Sequence, residues 1–237
     1  MRSQETKQII ALGGGGFSME PDNLLLDQYI LEQSCELVPK VCFLPTASGD
    51  SDRYITRFYT AFTQLNCQPS HLSLFRPPRE GPEALLRSQN IIYVGGGSTF
   101  NLITLLKAWK LDSLLEELWQ EGTILCGLSA GSICWFESGL SDSVLPGNYA
   151  RIEGLGFLPG SHCPHYDGET KRRPSYQRHI QQEILSDGIA ADDGVALHYH
   201  DKRLYKVVSS RSSAKAHRVF LENGQVEETA ITPQYLG

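Results

Sequence analysis

The sequence has little positive charge and no long apolar run. Its 27 aspartate and glutamate residues outnumber its 21 lysine and arginine residues, which gives a formal net charge of -6 at pH 7. Nucleic acids and anionic membranes are therefore poor partners, because both are bound mainly through basic side chains. No stretch approaches the roughly 18 apolar residues of a membrane span. Residues 1–7 also lack the apolar core of a signal peptide. We expect a cytoplasmic protein that acts on a small polar molecule.

The cysteines and histidines lack the spacing of metal ligands. None of the six cysteines forms a C-x-x-C pair, and several stand among apolar residues, which favours reduced, buried thiols. His198 and His200 share one face of a predicted strand, but no third ligand accompanies them. We therefore expect no metal and no cofactor. A chain of 237 residues can bury a core without such support, and we expect a single domain over residues 1–237.

Apolar segments of strand type alternate with helical segments up to residue 130. The predicted strands are 8–12, 41–45, 70–75, 90–94 and 124–126, and the helical segments lie around 21–30, 54–65, 85–86, 102–106 and 111–118. This alternation predicts an α/β fold, with a mostly parallel sheet and helices on both faces. Beyond residue 187, short strands and turns predict antiparallel strands at the carboxyl-terminal edge. We expect a helix to begin near residue 133, turns over 140–160 and another helix over 172–185.

Ser129 is the candidate nucleophile. The stretch Gly-Leu-Ser-Ala-Gly at 127–131 matches the G-x-S-x-G nucleophile elbow, in which a serine stands at a sharp turn between a strand and a helix. The apolar run before the stretch supports the strand. A glycine-rich turn without chemistry is the alternative, because a chain rich in glycine and serine can contain this pattern by chance.

Two glycine runs follow predicted strands. The first, at 13–16, lacks the order of glycines and the lysine that phosphate-binding loops need, so it predicts a tight turn at the carboxyl edge of the sheet. The second, Gly-Gly-Gly-Ser-Thr-Phe-Asn at 95–101, precedes a helical segment. Free amides at the start of a helix stabilise developing negative charge.

Three motifs occur together in an informative order. Gly-Gly-Gly-Ser-Thr-Phe at 95–100, Gly-Leu-Ser-Ala-Gly at 127–131 and Cys-Pro-His-Tyr-Asp-Gly-Glu-Thr at 163–170 resemble the peptidase E and cyanophycinase family of serine peptidases. The resemblance implies a fold similar to that of class I glutamine amidotransferases, which is flavodoxin-like. It also implies a single peptidase domain that acts as a dipeptidase and releases an N-terminal acidic residue, usually aspartate. An amidotransferase would carry cysteine where this chain has Ser129.

The resemblance also assigns roles to individual residues. Ser129 matches the nucleophile and His165 the general base, which fits the need of a serine hydroxyl for a proton acceptor. Asp142 falls near the place of the acid that orients the histidine, and Glu137 and Asp167 are competitors for that role. His162, three residues before His165 in the sequence, is a second candidate base.

Further residues are expected to bind the reacting group and the substrate. The amide of Ala130, together with that of Gly96 or Gly97, would form the oxyanion hole. The resemblance implies an arginine after Gly-Glu-Thr that holds the acidic side chain of the substrate, and Arg172 or Arg173 could do so. A solvated basic turn is the other interpretation of this arginine pair.

Other functions remain open from the residues alone. An esterase or amidase of α/β-hydrolase type shares the elbow but places its histidine near the carboxyl terminus, where His217 is the candidate. A catalytically silent module that binds a metabolite is a third possibility. The expected partner is a small peptide, and a homodimer is a family-level expectation.

Overall fold

The computed structural model describes residues 6–145 and 147–237. Residues 1–5 lie outside the described residues, so most of the segment on which the signal-peptide expectation rests is not covered. In the part of the chain that is described, no helix has the length and apolar character needed to cross a membrane.

The described residues form fourteen strands and eight α-helices, with one short 3₁₀ turn at Thr46–Ser48. The strands are β1 (Gln8–Leu12), β2 (Lys40–Leu44), β3 (Gln68–His71), β4 (Ile91–Val94), β5 (Ile124–Leu128), β6 (Phe136–Leu145), β7 (Asn148–Glu153), β8 (Leu158–Cys163), β9 (Gly188–Ala191), β10 (Val195–His200), β11 (Arg203–Ser209), β12 (Ala216–Glu222), β13 (Gln225–Ile231) and β14 (Gln234–Tyr235). The helices are α1 (Gly16–Met19), α2 (Leu25–Leu31), α3 (Asp52–Phe62), α4 (Pro82–Arg87), α5 (Thr99–Ala108), α6 (Leu111–Gln120), α7 (Ala130–Ile133) and α8 (Arg172–Gln181).

The larger sheet has the strand order β14-β11-β10-β1-β5-β4-β2-β3. Five neighbouring strands of this sheet are parallel, in the order β1, β5, β4, β2 and β3. Strand β10 runs antiparallel to both β1 and β11. The predicted α/β fold and its antiparallel strands are thereby confirmed. Leu12 pairs with Leu128, and Val94 pairs with Gly127. The segments that follow β1, β4 and β5 therefore emerge side by side at the carboxyl edge, where α/β sheets bind ligands.

Helices cover both faces of this sheet because its strands are apolar on both sides. Ile9 and Ala11 belong to the core cluster that includes residues of α5 and α6, whereas Ile10 and Leu12 belong to the cluster that includes α2 and α3. Strand residues point alternately to opposite faces. The near-continuous apolar character of β1, β2, β4 and β5 follows from this double burial.

The second sheet has the order β13-β12-β9-β8-β6-β7. Helix α8 packs on it through a smaller core that includes Tyr166, Tyr176 and Ile180. Strands β8 and β9 are parallel neighbours, and Cys163 pairs with Ala190. The segments that follow these two strands consequently lie next to each other, and they carry His165 and Asp193.

Two predictions about the region after Ser129 are wrong. The helix after the elbow is a single turn, α7, because the chain enters β6 at Phe136. The segment 140–160, expected to form turns, instead supplies most of the strands β6, β7 and β8 in its described part. Trp135 and Phe136 are completely buried, and periodicity does not separate a short buried strand from a buried helical turn.

Asp27 is a carboxyl group buried beneath the first glycine run. It is fully inaccessible to solvent, and its Oδ2 accepts a hydrogen bond of 2.7 Å from the backbone N–H of Phe17. Burial raises the pKa of Asp27 from 3.8 to about 7, although the hydrogen bond from Phe17 favours the ionised form. The folded state therefore binds a proton that the unfolded chain releases near pH 4.

This pKa predicts a loss of stability as the pH rises. The stabilising contribution of protonated Asp27 is complete below the unfolded pKa and declines up to the folded pKa, so it falls between about pH 4 and pH 7. Asp27→Asn retains an acceptor for Phe17 but does not ionise. We would measure the free energy of unfolding of both proteins by urea denaturation at pH 5 and at pH 7.5. The difference between them, variant minus wild type, should be about 2–3 kcal/mol larger at pH 7.5 than at pH 5. The exposed Asp52→Asn is the control, and a change of equal size in both variants would contradict the prediction.

Candidate active site

Ser129 stands at the turn between β5 and α7 in a strained backbone conformation. Its φ is 55° and its ψ is -115°, backbone angles that residues other than glycine rarely adopt. A Cβ atom on Gly127 would collide with the carbonyl oxygen of Gly131, and one on Gly131 would collide with that of Val94. The two glycines of the motif therefore allow the close contact between strand and helix that lifts Ser129 above the sheet edge.

His165 lies on the loop after β8 and is paired with Asp193. The Nδ1 atom of His165 is 2.6 Å from Oδ1 of Asp193, and both side chains are largely buried. Because a carboxylate accepts hydrogen bonds, it favours the tautomer that carries its proton on Nδ1. The other ring nitrogen, Nε2, is then available to accept a proton. The backbone N–H of His165 donates to the carbonyl oxygen of Gly13 at 2.9 Å, which ties this loop to the first glycine run.

The first glycine run makes room for the histidine–aspartate pair. It follows β1 at the carboxyl edge, as the sequence predicts. A Cβ atom on Gly14 would collide with Oδ1 of Asp193 and would lie 2.8 Å from Nδ1 of His165. The carbonyl oxygen of Gly14 accepts the N–H of Gly194 at 3.1 Å, beside Asp193. A side chain at position 14 would therefore displace the pair.

The expectation that Asp142 orients the histidine is corrected by this geometry. Asp142 is exposed on β6, and the carboxylate bonded to His165 belongs to Asp193. Glu137 accepts the N–H of Gly160 at 2.9 Å. Asp167 accepts the N–H of Asp193 at 2.8 Å, so it supports the pair through the backbone of Asp193. No motif in the sequence singles out Asp193, because its place beside His165 depends on the pairing of β8 with β9.

Among the described residues, the backbone amides of Gly97 and Ala130 have no hydrogen-bond acceptor. The amide of Gly96 instead donates to the hydroxyl oxygen of Tyr54 at 3.2 Å. Gly97 has a φ of 139°, and a Cβ atom there would collide with the carbonyl oxygen of Ala47. Of the two expected glycine donors, Gly97 therefore has the amide that remains free for a ligand.

The alternative histidines have other partners. His162 is completely buried; its Nε2 is 3.0 Å from Oγ of Ser132 and its Nδ1 is 2.8 Å from the carbonyl oxygen of Ile189. Burial lowers the pKa of His162 to about 4, which keeps it neutral and unsuited to act as a base near pH 7. His217 lies on β12 of the second sheet, 3.1 Å from Glu228, and does not line the cleft that contains Ser129.

The arginines expected to bind substrate have structural contacts instead. Arg172 is buried; its Nε donates to Glu169 at 2.9 Å, and its guanidinium lies over the ring of Tyr149. Arg173 forms an ion pair with Glu228. Neither arginine lines the cleft beside Ser129. The expectation for Arg172 and Arg173 therefore finds no support in the geometry.

Ser129 and His165 line one open cleft of about 440 Å³. Gly97 contributes to its wall, and so do Arg53 and Arg57, two arginines that no sequence motif singles out. A larger groove of about 800 Å³ includes residues at the amino ends of β1 and β5, at the opposite edge of the sheet. In the described part of the chain, no cluster of three His, Cys, Asp or Glu residues is placed to hold a metal ion.

Comparison with known proteins identifies the family of this chain. The sequence profile of peptidase family S51 matches residues 9–207. The chain belongs to peptidase family S51. It is thus a serine-type peptidase, and the resemblance to the peptidase E family is confirmed.

Relatives of this family S51 member differ widely in their similarity to it. The uncharacterized peptidase YgaJ of Bacillus subtilis (strain 168) is 55% identical over 98% of this chain and 100% of its own length. A probable alpha-aspartyl dipeptidase of Drosophila melanogaster is 33% identical over 65% of this chain and 62% of its own length. The crystal structure of a peptidase from an acI-B1 Actinobacterium shares the fold, with a TM-score of 0.70 at 21% identity over 97% of this chain and 96% of that one.

Asp193 and Asp142 can be tested against each other in this family S51 chain. Asp193→Asn offers an amide N–H to His165 and favours the tautomer that cannot accept the serine proton. We expect the rate of serine modification by a fluorophosphonate probe to fall by about 10³–10⁴-fold. Asp142→Asn, which alters an exposed residue, should keep the rate within about two-fold. A large loss in Asp142→Asn with an unaffected Asp193→Asn would contradict the assignment.

Proposed function

We propose that this chain is a serine exopeptidase that hydrolyses dipeptides after an N-terminal acidic residue, with aspartate as the preferred residue. Ser129 is the nucleophile, His165 the general base and acid, and Asp193 the group that orients His165. The observation that carries the proposal is the hydrogen bond that pairs Asp193 with His165, a residue that lines the same cleft as the strained Ser129.

The reaction follows the steps of serine acyl transfer. Oγ of Ser129 attacks the scissile carbonyl carbon while Nε2 of His165 takes the hydroxyl proton. The N–H groups of Gly97 and Ala130 bind the oxygen that becomes negatively charged, and each such donor is typically worth about 3 kcal/mol of barrier. His165 then gives its proton to the leaving amine. Water, activated by the same imidazole, hydrolyses the acyl-enzyme and restores Ser129.

Two observations support an acidic substrate residue. The relative from Drosophila melanogaster carries the name probable alpha-aspartyl dipeptidase. The cleft beside Ser129 is lined by two arginines, which suit a negatively charged ligand.

We also propose that the protein acts in the cytoplasm. Its six cysteines are free thiols, and a reducing compartment maintains thiols in this state.

An α/β-hydrolase type of esterase or amidase has less support. That alternative assigned the role of base to His217, which lies on the second sheet beside Glu228 and does not line the cleft that contains Ser129. His165 occupies that cleft.

Hydrolysis of Asp-Leu, Glu-Leu, Asn-Leu and Ala-Leu tests the proposed specificity. We expect kcat/KM for Asp-Leu to exceed that for Asn-Leu by about 10- to 100-fold, the value of a charge-assisted hydrogen bond. Ser129→Ala should lower hydrolysis of Asp-Leu by at least about 10⁴-fold. Equal rates for Asp-Leu and Ala-Leu would refute the acidic preference. Undiminished hydrolysis by Ser129→Ala would refute the mechanism.

A further inference from the structure

The cleft beside Ser129 has a charge opposite to that of the whole protein. The chain carries a formal net charge of -6, yet Arg53 and Arg57 line the cleft and, among the described residues, no aspartate or glutamate does so. A cleft lined by one sign of charge attracts ligands of the opposite sign. The local charge therefore favours an anionic group close to the serine.

Helix α3 brings both arginines to the cleft. Arg53 and Arg57 are four residues apart on this helix, so they lie on the same face. Helix α3 is fixed by Phe58, which is buried and stacks on Phe43 at 4.8 Å between ring centroids. The arginines therefore extend from a helix that is anchored in the core.

The contacts of Arg57 place its guanidinium near the glycine run of the cleft. Its Nη1 donates to the carbonyl oxygen of Ser18 at 2.6 Å. The guanidinium lies close enough to the hydroxyl of Tyr54 to oppose the rise in pKa that burial gives this tyrosine. The same hydroxyl accepts the N–H of Gly96, the neighbour of Gly97. Tyr54 therefore links Arg57 to the glycine run at 95–97, which lines the cleft beside Ser129.

The two arginines also lack an anionic partner in the protein. Within residues 6–145 and 147–237, no carboxylate oxygen lies within 4.0 Å of the side-chain nitrogens of Arg53 or Arg57. Arg172 and Arg173, by contrast, are paired with glutamates. A guanidinium presents several N–H donors in a plane that matches a carboxylate, and most of those on Arg53 and Arg57 are left for a ligand.

We propose that Arg53 and Arg57 form a carboxylate-binding subsite that holds a carboxylate of the peptide substrate beside Ser129. The inference deepens the proposed function and rests on it for the identity of the ligand. An Asp-X dipeptide has two carboxylates near its scissile bond, on the aspartate side chain and at the carboxyl terminus. The two carboxylates have the same chemistry, and dipeptides that lack one or the other show which of them the arginines bind.

Calorimetric binding to the inactive Ser129→Ala protein tests the subsite without requiring turnover. The ligands are Asp-Leu, Asn-Leu, which lacks the side-chain carboxylate, and Asp-leucinamide, which lacks the terminal one. We expect Asp-Leu to lose about 10- to 100-fold in affinity when Arg53→Met and Arg57→Met are added to Ser129→Ala. The dipeptide that lacks the recognised carboxylate should bind weakly and should be affected little by the arginine changes. Its identity shows which carboxylate is held.

Matched variants keep the test decisive. Arg178→Met removes an exposed arginine on α8, outside the cleft, and should leave the affinity for Asp-Leu unchanged. Arg53→Met is read separately from Arg57→Met, because only Arg57 contacts Ser18 and could affect folding. Equal affinity for Asp-Leu with and without the two arginines would overturn the subsite, as would loss of affinity only in Arg173→Met. If binding depends on the arginines but the active enzyme cleaves no dipeptide, the subsite stands and the proposed function fails.

Discussion

The hydrogen bond between His165 and Asp193 is the interaction on which the rest of the site depends. It fixes the imidazole with Nε2 free to accept a proton from Ser129, the proposed nucleophile. The two residues come from loops after the parallel strands β8 and β9 of the second sheet, while Ser129 comes from the larger sheet. The site therefore exists only where the two sheets meet. The glycine run after β1 lets them approach, because any side chain at Gly14 would occupy the space of the pair.

Two residues of this site have backbone conformations with positive φ. Ser129 and His165 have φ values of 55° and 53°, conformations that cost free energy for residues other than glycine. Buried surroundings offset that cost. Ser129 is held by β5 and by its N–H bond to the carbonyl oxygen of Leu12, and the N–H of His165 donates to Gly13. The core of the large sheet thus stabilises a geometry that isolated loops would not keep.

Local sequence patterns predicted the parts of this protein that depend on neighbours along the chain. The parallel strands, the glycine runs and the elbow around Ser129 each carry a period or a spacing that reflects their own backbone. Asp193 and the pair Arg53 and Arg57 carry no such signal, since their importance comes from strand pairing and helix placement across the fold. The resemblance to the peptidase E family points to Asp142 by its place along the chain, but distance along the chain does not determine which carboxylate reaches a histidine.

The most direct test of the account is a crystal structure of the enzyme with Ser129 covalently modified by a fluorophosphonate, which mimics the tetrahedral intermediate. We expect one phosphoryl oxygen to lie about 2.7–3.1 Å from the amide nitrogens of Gly97 and Ala130. We also expect Nε2 of His165 to lie within hydrogen-bond reach of Oγ of Ser129, with Nδ1 still bonded to Asp193. A phosphoryl oxygen directed away from both amides, or a His165 bonded to another carboxylate, would refute the proposed mechanism.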